Sequence, residues 1–148
     1  MSVIKMAEQI KQIHPNYLLI FKVGAFCLTY GKDSYIIAAN FNYMLKTTLG
    51  VQSCGFSKKV LRKVMATLED RKINYLIIEP RNDYDVEEKS DNKNLNTYEQ
   101  EFKASYKIVK QKAKIEKIKE RLELYIGKDE FRNIIRKVED VLDENREI

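Results

Sequence analysis

Phe26 stands directly after Gly24-Ala25 in a part of the chain rich in cations. An aromatic ring in such surroundings can stack on an unpaired nucleobase while Lys or Arg side chains hold phosphate. It can equally be a strand aromatic packed into a core. The cations available for phosphate are Lys22, Lys32, Lys46, Lys58, Lys59, Arg62 and Lys63. Residues 1–80 carry 11 Lys/Arg against 5 Asp/Glu, whereas residues 81–148 carry 16 against 17. The net charge of +5 therefore originates in the first part of the chain. A second basic stretch, Lys103 to Arg121, holds eight cations against Glu116 and Glu120. A stripe of that density can displace counterions from nucleic acid, or it can be a solvated helix face.

Other chemistries find less material. No G-x-x-x-x-G-K-[ST] stretch exists to cradle phosphates, so no nucleotide and no ATP-driven step is expected. His14 is the single histidine and has no evident nucleophile, which gives no expectation of an enzyme. Cys27 and Cys54 read as small core residues, because two thiols and one imidazole make neither a disulfide framework nor a zinc site. Asp83, Asp85, Glu87, Glu88 and Asp91 form an acidic cluster without the spacing of a calcium loop, so neither metal nor cofactor is expected. The start of the chain lacks a cationic segment followed by an apolar one, and no stretch reaches the length of a membrane span. The expected location is the cytoplasm.

Positioning falls to short alternating elements. Ile4, Ile10 and Ile13 give a first helix that stops at His14-Pro15. Tyr17 to Val23 reads as a strand covered on both faces, and Phe26 to Tyr30 as a second strand after the Gly24-Ala25 break. Asp33 or Ser34 can cap a helix over Tyr35 to Asn40. Tyr43 to Thr48 and Val51 to Cys54 read as strands joined around Gly50, and Ser57 as the cap of a helix from Lys58 to Arg71. Ile73 to Glu79 is the last expected strand, closed by Pro80. The class is α/β, a mixed β-sheet flanked by helices over residues 1–80. Residues 81–96, polar with little to bury, read as a linker. Residues 97–148 read as a C-terminal helical hairpin, with Gly127 ending one helix and Asp129 capping the next. The near-heptad seam of Ile108, Ile115, Ile118, Leu122 and Tyr125 suits helix pairing, which points to a homodimer or a partner protein on these residues.

The run Phe21-Lys22-Val23-Gly24-Ala25-Phe26-Cys27-Leu28 resembles the F-R-M-G-D-F-Y-E motif in the first domain of the MutS mismatch-repair proteins. Val51-Gln52-Ser53-Cys54-Gly55-Phe56-Ser57 resembles that family's I-P-M-A-G-V-P segment, and Lys58 to Pro80 follows its next helix and strand without a gap. The resemblance implies the fold of that domain as a free-standing small protein. It also implies that Phe26 is exposed as a wedge against DNA, where the family's Glu two places on bonds to the mispaired base. That position here is Leu28, and the family's T-K-R-G turn reads Thr47-Thr48-Leu49-Gly50, with Lys46 as the nearest cation.

Two functions are thereby opened. One is a non-catalytic DNA-binding module for duplex, bulged or single-stranded DNA, with weak or no mismatch specificity because Leu28 cannot hydrogen-bond. The alternative is an interaction or assembly accessory protein that kept the fold but not the DNA role. For that alternative the family resemblance adds an association of such small proteins with reverse-transcriptase retroelements.

Overall fold

The computed structural model describes residues 2–93 and 97–146. These residues form two compact units, one running to Val109 and the other beginning at Lys110.

The first unit is built on a six-stranded mixed sheet in the order β3-β4-β2-β1-β5-β6. At its centre lie β1 (Leu18–Val23) and β5 (Tyr75–Glu79), the parallel pair, with Leu18 opposite Tyr75 and Phe21 opposite Ile78. Both strands are apolar on either face because both faces are covered, so the sequence shows a continuous run rather than alternation. β2 (Phe26–Tyr30) and β4 (Val51–Ser57) extend the sheet antiparallel on one side, and β3 (Leu45–Thr48) closes that edge.

One face of the sheet carries the larger core. Leu18, Ile20, Cys27, Cys54 and Phe56 meet Ile36 and Ile37 of α2 (Lys32–Phe41) and Val64 and Leu68 of α3 (Leu61–Asp70). The opposite face holds a smaller cluster of Leu19, Phe21, Leu76 and Ile78 under Ala7 of α1 (Val3–Ile13). Each such side chain removed from water contributes about 1.5 to 3 kcal/mol, so the two layers supply most of the driving force for this unit.

Several local expectations are corrected. Asp33 and Ser34 lie inside the first turn of α2 and do not cap it; the cap position is Gly31, whose φ of 59° suits glycine. Ser57 does cap, accepting from the Lys59 amide at 3.2 Å, but what it caps is a short 3-10 turn, Lys58–Val60, that precedes α3. Residues 85–89 are not linker. Asp85–Lys89 forms β6, paired antiparallel with β5 through a bulge at Ile77/Ile78. Its charged side chains are those of an exposed edge strand, which needs one neighbour and little apolar content. Residues 94–96 of the expected linker lie outside the described residues.

α4 (Thr97–Glu123) is one continuous helix, and its first turns belong to the sheet unit rather than to an appendage. Tyr98 is buried, and Phe102 and Val109 pack against the larger core. Residues 110–123 of α4 and the whole of α5 (Phe131–Glu144) make the second unit. Gly127, with φ of 80°, turns the chain between them as expected, but the residue at the cap of α5 is Glu130, not Asp129, and it makes no side-chain cap bond. None of the residues of α5 is buried, so its apolar stripe is not sealed against α4 as a closed hairpin would require. Among the described residues no helix is long and apolar enough to cross a membrane.

Candidate nucleic-acid interface

The β1-β2 connection is as short as two strands allow. Val23 pairs directly with Phe26 across Gly24 and Ala25, and Gly24 sits at φ 61°, where a side chain would be strained. Phe26 thus opens β2 at the rim of the sheet, and its ring is 58% exposed. Side chains alternate along β2: Cys27 and Thr29 are buried in the larger core, so Phe26, Leu28 and Tyr30 share the opposite face.

Beside Phe26 runs the end of β4. Phe26 pairs with Ser57, and the Lys58 amide donates to the Ala25 carbonyl at 3.0 Å, which fixes the turn bearing the ring against the turn bearing the lysines. Lys59, Arg62 and Lys63 are exposed and Lys58 is half-buried. Lys22 joins them, since its strand position is opposite Cys27, next to Phe26. Five of the seven expected cations therefore lie toward the ring's end of the sheet. Lys22, however, alternates onto the larger-core face with Ile20 and Cys27, and Arg62 and Lys63 stand on α3, which covers that face, the one opposite Phe26. The other two lie elsewhere. Lys46 is exposed on β3 opposite Ser53, which in turn pairs with Tyr30 at the far end of β2. Lys32 opens α2 just past that far end, reaches Glu99 at 3.4 Å and lies 5.0 Å over the Phe102 ring.

Two of the cations toward the ring's end are already engaged. Lys22 meets Glu87 at 2.6 Å and Arg62 meets Glu88 at 2.8 Å, so β6 lays its carboxylates over both. The hydrogen bond to Glu87 raises the Lys22 pKa above the ordinary lysine value. Among the described residues Lys46, Lys58, Lys59 and Lys63 make no ion pair. Leu28, at the position that would need a polar group for base recognition, is half-buried and leans over Gly55.

Sequence reasoning missed a buried polar network. Asp33 accepts from the Leu19 amide at 3.0 Å, from Lys11 Nζ at 2.7 Å and from the Tyr98 hydroxyl. Lys11 also donates to the Tyr17 carbonyl and lies 4.0 Å over the Tyr98 ring. Burial lowers the Lys11 pKa against the opposing pull of Asp33, and burial raises that of Tyr98. Nearby, a cavity of about 490 Å³ opens between α1 and the sheet, lined by Ile4, Ala7, Leu19, Phe21, Lys11 and Asp33 among others. Lys11 and Asp33 pair with each other there, and Glu8 and Lys32 also line the cavity. Among the described residues no three His, Cys, Asp or Glu side chains stand together to hold a metal ion.

Of the expected interface residues, Ile108, Ile115, Ile118 and Tyr125 are exposed and Leu122 is half-buried. The side chain that enters the sheet core is Val109, next to Ile108.

The family model described as MutS domain I matches residues 2–114. The chain belongs to the MutS domain I family. The matched span takes in all six strands and the first turns of α4, which agrees with the sheet unit ending at Val109. It is the fold implied by the Phe21 to Leu28 motif. A comparison with curated proteins found no match. Within a MutS domain I, the described geometry puts Phe26 at the exposed rim and puts Leu28 where it can offer no hydrogen bond.

Proposed function

We propose that this MutS domain I is a non-catalytic, cytoplasmic DNA-binding module with little or no preference for mismatches. The observation that carries the reading is the exposed Phe26, whose turn is held to the backbone of Lys58 at the end of the sheet where Lys58 and Lys59 follow β4. Neither lysine makes an ion pair among the described residues. Backbone phosphates would meet these lysines, and an unstacked base would meet the ring. Leu28 supports the loss of mismatch preference, because an apolar side chain neither accepts from nor donates to a base edge.

Binding of matched, single-mismatch, bulged and single-stranded DNA, each at two salt concentrations, tests the proposal. Salt-sensitive binding is expected, with the matched and mismatched duplexes within a few-fold of each other. No binding at low salt overturns it, and a strong mismatch preference overturns the role given to Leu28.

A second reading is assembly through the C-terminal helices, with the chain acting as an accessory to a partner or to itself. It is favoured by Ile115, Leu124, Ile126, Val141 and Leu142, all of them large, apolar and more than half exposed. This reading is the alternative in which the fold is kept without the DNA role.

A further inference from the structure

Past Phe131 at its start, α5 carries its apolar residues in an order that is the same from either end. Ile134 and Ile135 precede Val138 by four and three residues, and Val141 and Leu142 follow it by three and four. The charges are ordered in the opposite sense. Arg132, Arg136 and Lys137 stand before Val138, whereas Glu139, Asp140, Asp143 and Glu144 stand after it. On a helix the five apolar residues fall on one stripe. That stripe is open toward its end, where Val141 and Leu142 are 57% and 65% exposed, whereas Ile134, Ile135 and Val138 are half-buried and Ile134 lines a cleft with Ile118 and Leu122 of α4.

This combination selects its own occupant. Two copies of α5 laid antiparallel bring Val138 against its counterpart on a two-fold axis. Ile134 and Ile135 of one copy then lie level with Leu142 and Val141 of the other. The basic half of each helix runs along the acidic half of its mate. Parallel pairing would set like charge on like charge and is disfavoured. The stripe of α4 lacks this property. Residues 110–123 hold Lys110, Lys112, Lys114, Lys117, Lys119 and Arg121 against Glu116, Glu120 and Glu123, so two copies paired there would oppose cation to cation.

We propose that the chain forms a two-fold symmetric dimer by antiparallel pairing of α5, centred on Val138. This rests on the assembly reading and makes it specific, moving the contact from the α4 seam to α5.

Sedimentation equilibrium of the full chain over a concentration series tests it, with Val138→Asp, Ile115→Asp, Arg132→Asp and the double variant Arg132→Asp/Asp143→Arg. Wild type and Ile115→Asp are expected to dimerise, and Val138→Asp to be monomeric where wild type is dimeric. Arg132→Asp should weaken the dimer about tenfold, because symmetry turns two attractive contacts into repulsive ones. The double variant should restore it. Residues 132 and 143 are about three helical turns apart, so restoration reports a contact between copies, not one within a helix.

A strictly monomeric wild type overturns the assembly reading and this proposal together. A dimer kept by Val138→Asp and lost by Ile115→Asp overturns the α5 pairing alone. If Val138→Asp reduces helix content by circular dichroism, the charge pair decides, and a dimer unmoved by Arg132→Asp or unrestored in the double variant overturns the antiparallel register.

Discussion

Leu28 lies across Gly55 on the neighbouring strand, its Cδ2 placed 2.8 Å from where a Cβ on Gly55 would stand. The residue that replaces the family's base-reading Glu is therefore seated on a glycine that leaves it room. Gly55→Ala forces only the far end of Leu28 to move, and alanine regains about 0.5 to 1 kcal/mol of backbone entropy in a strand. Urea unfolding should place Gly55→Ala within about 1 kcal/mol of wild type. In a Leu28→Ala background the same change should be stabilising, and the difference between the two measures the contact.

Phe26→Ala should weaken binding to bulged and single-stranded DNA by about 1 to 3 kcal/mol and intact duplex by less. Its melting temperature should stay close to wild type, because the ring is exposed. Fluorescence anisotropy and thermal unfolding on the same preparation check both halves.

Leu28→Glu restores a carboxylate on the face shared with Phe26, where Gly55 gives it space. A mismatched duplex should then be preferred over a matched one by the same anisotropy assay. Equal binding of the two duplexes would show that more than this one contact separates the chain from a mismatch reader.

Glu87→Gln with Glu88→Gln releases Lys22 and Arg62 from β6. Affinity for any DNA should rise, and the slope of log affinity against log salt should steepen by about 0.9 for each newly formed phosphate contact. Titrations at several salt concentrations read this directly.

Alkaline pH should unfold the sheet unit earlier than its neutral stability suggests. Burial pushes the Cys27 and Cys54 thiols from 9.0 up to about 11, and burial also raises Tyr75 and Tyr98. Folded pKa values above the unfolded ones give stability that is whole below the unfolded pKa and lost as pH rises through the folded pKa. For the thiols that window is pH 9 to about 11. Lys11 acts in the opposite sense, its lowered pKa favouring the fold as pH rises toward 10.5. Chemical unfolding at a series of alkaline pH values should show the decline, and a Cys27→Ala/Cys54→Ala variant should show less of it.

The order of strands and helices from α1 to β5 was legible because periodicity and the Gly and Pro breaks are local signals. β6 was not, since Asp-Val-Glu-Glu-Lys is as polar as a linker and pairs on one edge only. Its effect on the site was hidden for the same reason: nothing local in Glu87 or Glu88 says that they reach Lys22 or Arg62. Asp33 read as a helix cap because its partners, Lys11 and Tyr98, lie 22 and 65 residues away in sequence. On α4, Phe102 and Val109 read as broadening the apolar stripe of Ile108, Ile115 and Ile118, but nothing local showed that they pack on the sheet beside the buried Tyr98 and Ser105. The family motif placed Phe26 at the rim, which periodicity alone left undecided between rim and core.

The reach of Tyr98 back to Asp33 also sets the order in which a newly made chain can finish folding. Every strand has been synthesised by Lys89, yet Asp33 and Lys11 still lack their hydroxyl partner, and the larger core still lacks Phe102 and Val109. A nascent chain paused at that point has α1, α2 and α3 in place but leaves the larger core without its last cover and a buried charge pair short of a bond, the kind of species that chaperones hold. Completion waits for the first turns of a helix that, further along, belongs to the other unit.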